Sequence, residues 1–335
     1  MDIGVSIIIC TYNGVARLSK TLNSVLLLNT GIAKELILVD NSSTEDIERF
    51  CKKYFSQQTF KISYKFLREE RPGLCYARIA GIFQASYPYI LFCDDDNALF
   101  PDYLDIGVKI FAKYPKVGVI GGKGITSSSI ALPEWFPIYQ RSYAVGSQNH
   151  KNGIIDRKPG HVYGAGSFFR TNIMLSILKA GFYPSFKGRT AKSLLSGDDL
   201  EWCWLMQLSG YEIYYEEELK FYHELSPKRL TTDYYMNMKS GTAVGTAFSF
   251  TYQTYFKNPN LSSIGFLAKY YKAHFKAWLL YNKNKISQVS SDWNIRLGLS
   301  ILKSKNQSYA NYREESVQLY KNLKSIFNKD QKLKI

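Results

Sequence analysis

Buried-strand runs and helical stripes alternate along the first third of the chain. Val5-Ser6-Ile7-Ile8-Ile9-Cys10 is a short β-branched run, followed by the polar turn Thr11-Tyr12-Asn13-Gly14. After the turn, Leu18, Leu22, Val25 and Leu26 recur at helical spacing. Leu36-Ile37-Leu38-Val39 predicts a second buried strand ending in Asp40-Asn41-Ser42-Ser43, with Ser43 or Thr44 expected to cap a helix running to Phe55. Ile62 to Phe66 predicts a strand, Leu74 to Ala85 a helix and Tyr89 to Cys93 a strand. This rhythm predicts an α/β fold with a Rossmann-like, mostly parallel sheet flanked by helices on both faces.

Past Ile120 the alternation fades into a Gly/Ser/Pro-rich stretch, Gly121 to Gly160, too long for an ordinary connection and read here as a functional or lid-like insertion. Order returns at Val162 to Phe169. Gly197-Asp198-Asp199 then opens a helix to Leu208 that ends at Gly210, and a strand from Glu212 to Tyr215 leads towards His223. From about Ser226 onward the text is helical, aromatic and basic.

In open sheets of this kind ligands sit outside the carboxyl ends of the strands. The residues there are Thr11-Tyr12-Asn13, Asp40-Asn41-Ser42-Ser43 and Asp94-Asp95-Asp96-Asn97, three polar loops of which two are acidic. No G-x-G-x-x-G follows the first strand and no G-x-x-x-x-G-K-[ST] occurs, so dinucleotide-dehydrogenase and P-loop readings lack their phosphate cradle.

Composition adds a basic bias. The 335 residues carry 43 Lys and Arg against 28 Asp and Glu, a net charge of +15, and are 45% hydrophobic. That excludes disorder, collagen-like repeats and a disulfide-stapled mini-protein, and invites an anionic partner. Residues 257–335 hold 15 Lys and Arg against four Asp and Glu, so most of the excess lies in the last quarter of the chain. Five dispersed cysteines without a C-x-x-C pair point to a reducing compartment and against a zinc site. The beginning of the chain shows no leader pattern, and no run reaches the length of a membrane-spanning helix, so a cytoplasmic location is expected.

Three consecutive aspartates after a buried strand repel one another unless a cation neutralises them, and a hard divalent ion shared with phosphate oxygens is one solution. A solvated acidic turn capping the next helix is the other. The order Val5 to Gly14, Val39-Asp40-Asn41-Ser42-Ser43, Arg71-Pro72-Gly73 with Ala77-Arg78, Phe92 to Asn97, Gly164-Ala165-Gly166, Gly197-Asp198-Asp199 and His223 resembles the inverting glycosyltransferases of family 2 over about residues 3–230. The resemblance implies a GT-A type fold with a C-terminal helical extension. Residues 1–225 are then the catalytic domain, its nucleotide-binding half about 1–120 and its acceptor-binding half about 121–225, and residues 226–335 are the basic helical region.

The resemblance also implies roles. Thr11 and Tyr12 would contact base or ribose, Asp40 would accept from the base ring N–H, and Arg71 and Arg78 would touch the donor. Asp94, with Asp95 beside it, would face the ribose, and Asp96 with His223 would hold Mn²⁺ or Mg²⁺. Gly166 would let backbone approach the donor sugar, Asp199 would be the general base, and Asp198 and Trp202 would line the acceptor side. Ile79 replaces the Asn that the family usually shows after the Arg at position 78, so that amide contact is lost. The expected reaction is in-line transfer from a nucleotide-diphospho-sugar, with UDP the expected nucleotide, to a hydroxyl of a glycan or lipid-linked glycan. A sugar nucleotidyltransferase and a nucleic-acid-binding module are the alternatives; the first lacks its Gly-rich basic loop, and the second leaves the aspartates facing a polyanion.

In the basic tail, Leu261, Ile264, Ala268, Tyr271, Phe275 and Trp278 recur at three and four steps, with Lys269, Lys272, Lys276 and Lys283 on one flank. Such a helix either lies in an anionic membrane interface or packs its stripe on the catalytic domain with its lysines solvated.

Overall fold

A computed structural model describes residues 3–28, 30–59, 62–188, 196–284 and 292–327. The first half alternates as expected: β1 (Gly4–Thr11), α1 (Val15–Leu26), β2 (Ala33–Asp40), α2 (Ile47–Ser56), β3 (Ser63–Arg68), α3 (Leu74–Gln84), β4 (Tyr89–Asp94), β5 (Asn97–Leu99), α4 (Tyr103–Lys113) and β6 (Val117–Ser128). There follow α5 (Phe136–Tyr139), β7 (Gly153–Ile154), β8 (Ser167–Arg170), α6 (Thr171–Lys179), α7 (Asp198–Leu208) and β9 (Glu212–Leu225). The C-terminal part is helical: α8 (Thr232–Val244), α9 (Thr246–Lys257), α10 (Ser263–Asn284), α11 (Trp293–Asn311) and α12 (Arg313–Phe327).

The strands form one sheet in the order β3-β2-β1-β4-β8-β6-β9-β5, with β7 paired to β9. β1 runs parallel to β2 and β4, β2 to β3, and β6 to β9, while β8 is antiparallel to both its neighbours. Period-two side-chain alternation explains the apolar runs. Val5, Ile7 and Ile9 of β1 enter one core layer while Ile8 enters the other, and Leu36 and Leu38 of β2 part from Ile37 and Val39 in the same way. Both faces are covered over Ile7–Ile9 of β1 and Leu36–Val39 of β2, so these runs are apolar without alternation.

Three expectations change. The stretch from Gly121 is not a lid from its start: residues 121–128 continue β6, whose pairing with β9 runs on to Ser128. Phe136 and Tyr143 then pack in a third apolar cluster with Tyr235 and Met238 of α8 and Leu297 of α11, so this segment is built into the fold. α2 is capped by Asp46, whose carboxylate accepts from the Arg49 amide, and not by Ser43 or Thr44. The strand expected over 212–215 runs unbroken to Leu225 and carries His223 within it.

The C-terminal helices share a core with the sheet. Trp204 of α7 lies 5.1 Å from Tyr252 of α9, and Phe186 lies 5.5 Å from Phe248, centroid to centroid. The Tyr252 hydroxyl donates to Glu201 of α7 at 2.9 Å. α10 turns Phe266 and Tyr270 inward; its Ile264, Tyr271, Phe275 and Trp278 face solvent.

Candidate active site

A cavity of about 920 Å³ opens at the carboxyl ends of β1 and β4. Thr11, Tyr12, Arg17, Asn41 and Asp94 to Asp96 line one wall; Gly164, Ala165 and residues 196–200 at the start of α7 line another; His223 and Arg229 close it. The polar loops after β1 and β4 and the first turn of α7 therefore meet, as ligand sites at strand ends do.

The three aspartates are held by three different partners. Asp94, at the end of β4, accepts from Arg78 Nη2 at 3.1 Å. Asp95 receives a fork from Arg17, Nε to Oδ1 at 3.1 Å and Nη2 to Oδ2 at 2.7 Å, and a 2.6 Å hydrogen bond from the Thr11 hydroxyl. Burial pushes the Asp95 carboxyl up to about 6 against the pull of Arg17. Asp96 accepts from Arg229 Nη1 at 2.8 Å, and His223 Nε2 lies 3.4 Å from the same oxygen. Burial works against its charge, but His223 and Arg229 outweigh that and hold Asp96 below the usual carboxylate range.

His223 is oriented by the backbone. Its Nδ1–H donates to the Tyr143 carbonyl at 2.7 Å, which leaves Nε2 turned towards Asp96. Arg229 Nη1 lies between the two, 3.5 Å from His223 Nε2, and Arg229 Nε is buried with no hydrogen-bond partner among the described residues.

Asp199 sits in the first turn of α7. One oxygen accepts from the Gly164 amide at 3.1 Å and the other from the Leu200 amide at 2.9 Å, and no ion pair to it occurs among the described residues. Asp198, next to it, is buried and takes a 2.7 Å bond from Arg78 Nη1. Arg78 thus bridges the aspartate loop after β4 to the start of α7. A Cβ on Gly164 would stand 2.8 Å from Arg78 Nη1 and 3.0 Å from Asp199 Cβ, so glycine permits the approach of these elements.

Most of the expected site residues line this cavity, but four do not. Asp40 is buried beside it, accepting from the Ser43 amide at 3.0 Å and Arg68 Nη1 at 2.6 Å; Asn41 lines the cavity in its place. Arg71 points outward into a bidentate pair with Glu69. Gly166 lies behind the wall formed by Gly164 and Ala165, its carbonyl accepting from the Tyr103 hydroxyl at 2.6 Å. Trp202 is a core residue, 2% exposed and edge-on to Phe182, one turn further into α7 than Asp199 and so below the cavity wall. Within the Gly181–Gly197 segment, expected to bear on donor choice, residues 189–195 lie outside the described residues.

Arg17, Arg229 and Glu201 were not singled out from the sequence. Arg17 carried a signal: a basic residue in the first turn of a helix opposes the macrodipole and calls for an anionic partner. Glu201 accepts from the amides of Ser185 and Phe186 and from Tyr252, and burial pushes its carboxyl up to about 7.

The model of glycosyl transferase family 2 matches residues 6–177, just over half of the chain and the part that carries the aspartate loop. The chain belongs to that family. It is 30% identical over 119 residues to a poly-beta-1,6-N-acetyl-D-glucosamine synthase of Staphylococcus epidermidis, a match covering 36% of this chain and 28% of the relative. It is also 30% identical over 128 residues to a chondroitin synthase of Escherichia coli, covering 38% and 18%. The matched segments thus span less than a third of these relatives. Among solved structures, the 1–349 portion of Staphylococcus aureus TarS in complex with UDP-GlcNAc superposes with a TM-score of 0.53 at 14% identity, over 93% of this chain and 92% of that one. The mannosyltransferase PcManGT of Pyrobaculum calidifontis, in complex with GDP-Man and Mn²⁺, gives 0.56 at 14% identity over 93% and 88%. These likenesses extend the shared fold through the C-terminal helices. Family membership displaces the nucleotidyltransferase and nucleic-acid-binding alternatives.

Proposed function

We propose that this chain transfers a sugar from a nucleotide-diphospho-sugar, with UDP the expected carrier, to a hydroxyl of a glycan or lipid-linked glycan, inverting the anomeric centre. The observation that carries the reading is Asp199: a carboxylate at a helix N-terminus, held by two amides, opening on the same cavity as Asp94 to Asp96 and His223. A carboxylate that opens on the cavity from a helix N-terminus stands where an acceptor hydroxyl can hand it a proton. In the reaction the acceptor oxygen gives its proton to Asp199 and bonds to the anomeric carbon, while the bond from that carbon to the diphosphate breaks on the opposite face.

Negative charge then builds on the diphosphate, and Arg229 and Arg17, which line the cavity while paired with Asp96 and Asp95, are the cations that would meet it. The residues also fit a divalent ion, provided that the Arg229 guanidinium now between Asp96 and His223 turns away onto the diphosphate. His223 is fixed with Nε2 towards Asp96, and carboxylate and imidazole are donors that Mn²⁺ accepts. No group of three or more ligating side chains gathers among the described residues, so phosphate oxygens and water would complete the shell, as is usual for a nucleotide-bound ion. Bound there by Asp96 and His223, with Asp94 nearby, Mn²⁺ or Mg²⁺ would neutralise the leaving group as a Lewis acid. Thr11 and Tyr12, which line the same cavity, would contact base or ribose.

Among the described residues no helix is long and apolar enough to cross a membrane. The reading places the protein in the cytoplasm, peripheral to the membrane face where a lipid-linked acceptor is presented.

The test is a panel of UDP-, GDP- and dTDP-sugars with Mn²⁺, scored by thermal stabilisation and by slow donor hydrolysis. Asp199→Asn is expected to keep donor-dependent stabilisation and to lose about 10²–10⁴-fold in turnover. Asp96→Ala is expected to lose the stabilisation that Mn²⁺ adds. Unchanged turnover in both variants would overturn the assignment.

A further inference from the structure

Among the described residues helix α10 packs by one side, with Arg313 Nη1 also donating to the Tyr271 hydroxyl at 3.1 Å. Phe266 stacks on Tyr320 with centroids 4.4 Å apart, and the Tyr270 hydroxyl donates to the Tyr309 carbonyl at 2.8 Å. The opposite side carries an apolar stripe in solvent: Ile264 is 81% exposed, Phe275 59%, Tyr271 50%, and Trp278 and Leu279 46% each. Single exposed apolar residues are ordinary, but five on one face of one helix are a patch. At 100° per residue the four lysines of α10, Lys269, Lys272, Lys276 and Lys283, fall within about 80° of Leu279 on one flank, and the aromatic residues fall on the other. The helix contains no Asp or Glu.

We propose that this face docks on the surface of an anionic phospholipid bilayer, with the aromatic stripe at headgroup depth and the lysines on headgroup phosphates. The proposal deepens the membrane placement given above and names the surface that achieves it. Charge favours a bilayer over a second copy of the chain, because a two-fold pairing through α10 would set the same four lysines against one another with no acid in the helix to answer them. A peripheral helix of this kind binds through buried apolar area together with attraction to anionic lipid. The two contributions are separable by substitution.

The full chain is sedimented with vesicles of phosphatidylcholine alone and of phosphatidylcholine with about one-third phosphatidylglycerol, without donor or metal, so that failure of the transferase reading leaves the result intact. Binding is expected to the anionic vesicles only and to fall as salt rises. The Lys269→Gln, Lys272→Gln, Lys276→Gln, Lys283→Gln variant and the Phe275→Ser, Trp278→Ser variant are each expected to weaken it at least about tenfold. Circular dichroism and thermal transitions like those of the parent establish that both variants fold, as expected for exposed positions. Equal binding to both vesicle types, or parental binding by either variant, overturns the proposal. So does a dimer without lipid, seen by sedimentation velocity, that the Phe275→Ser, Trp278→Ser variant dissociates.

Discussion

Replacing Arg78 by Met tests whether the ion-pair chain behind the cavity holds the site together. The guanidinium is 3% exposed and contacts Asp198 at 2.7 Å and Asp94 at 3.1 Å. The Asp198 side chain is 8% exposed and that of Asp94 35%, so water screens the second pair far more than the first. Breaking a buried pair by removing one partner costs roughly 3–5 kcal/mol. Met keeps much of the packing against Phe92, over whose ring the guanidinium lies. We therefore expect Arg78→Met to destabilise by about 3–4 kcal/mol, nearly all of it through Asp198. That assignment makes a second, sharper expectation: Asp198→Asn should be destabilising in the parent but should recover about 2 kcal/mol in the Arg78→Met background. Urea unfolding followed by tryptophan fluorescence and by circular dichroism measures all four corners of the cycle. A cost under about 1 kcal/mol for Arg78→Met, or an equal penalty for Asp198→Asn in both backgrounds, would refute the reasoning.

Two further outcomes are expected. Glu201 is raised to about 7 in the folded chain from an ordinary value of 4.5, so the native state holds its proton where the unfolded state has lost it. Its contribution to stability is therefore complete below about 4.5 and declines as pH rises to about 7, by roughly 3 kcal/mol. Urea midpoints between pH 5 and 7.5 should fall more steeply for the parent than for Glu201→Gln, and parallel lines would sink the claim. Gly166→Ala places a methyl at φ +65° against the Tyr103 hydroxyl and 2.8 Å from the Phe221 ring. It should cost about 1–3 kcal/mol, read as a lowered unfolding midpoint, with wild-type stability counting against the strain.

The fold was legible because the first half obeys local rules. Val5 to Cys10 and Leu36 to Val39 are apolar without alternation, which only a strand buried on both faces explains. Asp94, Asp96 and Asp199 stood out as polar positions at strand and helix ends, His223 only through the family resemblance, and all four line one cavity. What escaped depended on partners far away in the chain. Asp40 looked free to meet a ligand until Arg68, opposite it on the neighbouring strand, was seen to take its charge. Trp202 and Trp204 share a helix with the base, but the pattern of residues 198–208 is apolar almost all round, so periodicity did not show that both face the core. The stripe of α10 had the period of a core helix, and only the position of its neighbours shows that Phe266 and Tyr270 serve that purpose instead.

His223 stands on a fourteen-residue strand, in register with Asn97, the residue after Asp96. The Glu224 amide also donates to the Asp96 carbonyl at 2.9 Å. Side chains alternate faces along a strand, so adding or deleting one residue of β9 between Phe221 and His223, where it pairs with β6 on one side and β5 on the other, would turn the imidazole to the wrong side. The placement of His223 against Asp96 thus behaves as a ratchet with a single permitted setting. Length changes within residues 221–223 should disable the site even where the fold absorbs them, whereas residues 216–219 already lie in a register shift against β6. Tuning for new substrates must come from walls away from β9 and from Tyr143, whose carbonyl holds the imidazole.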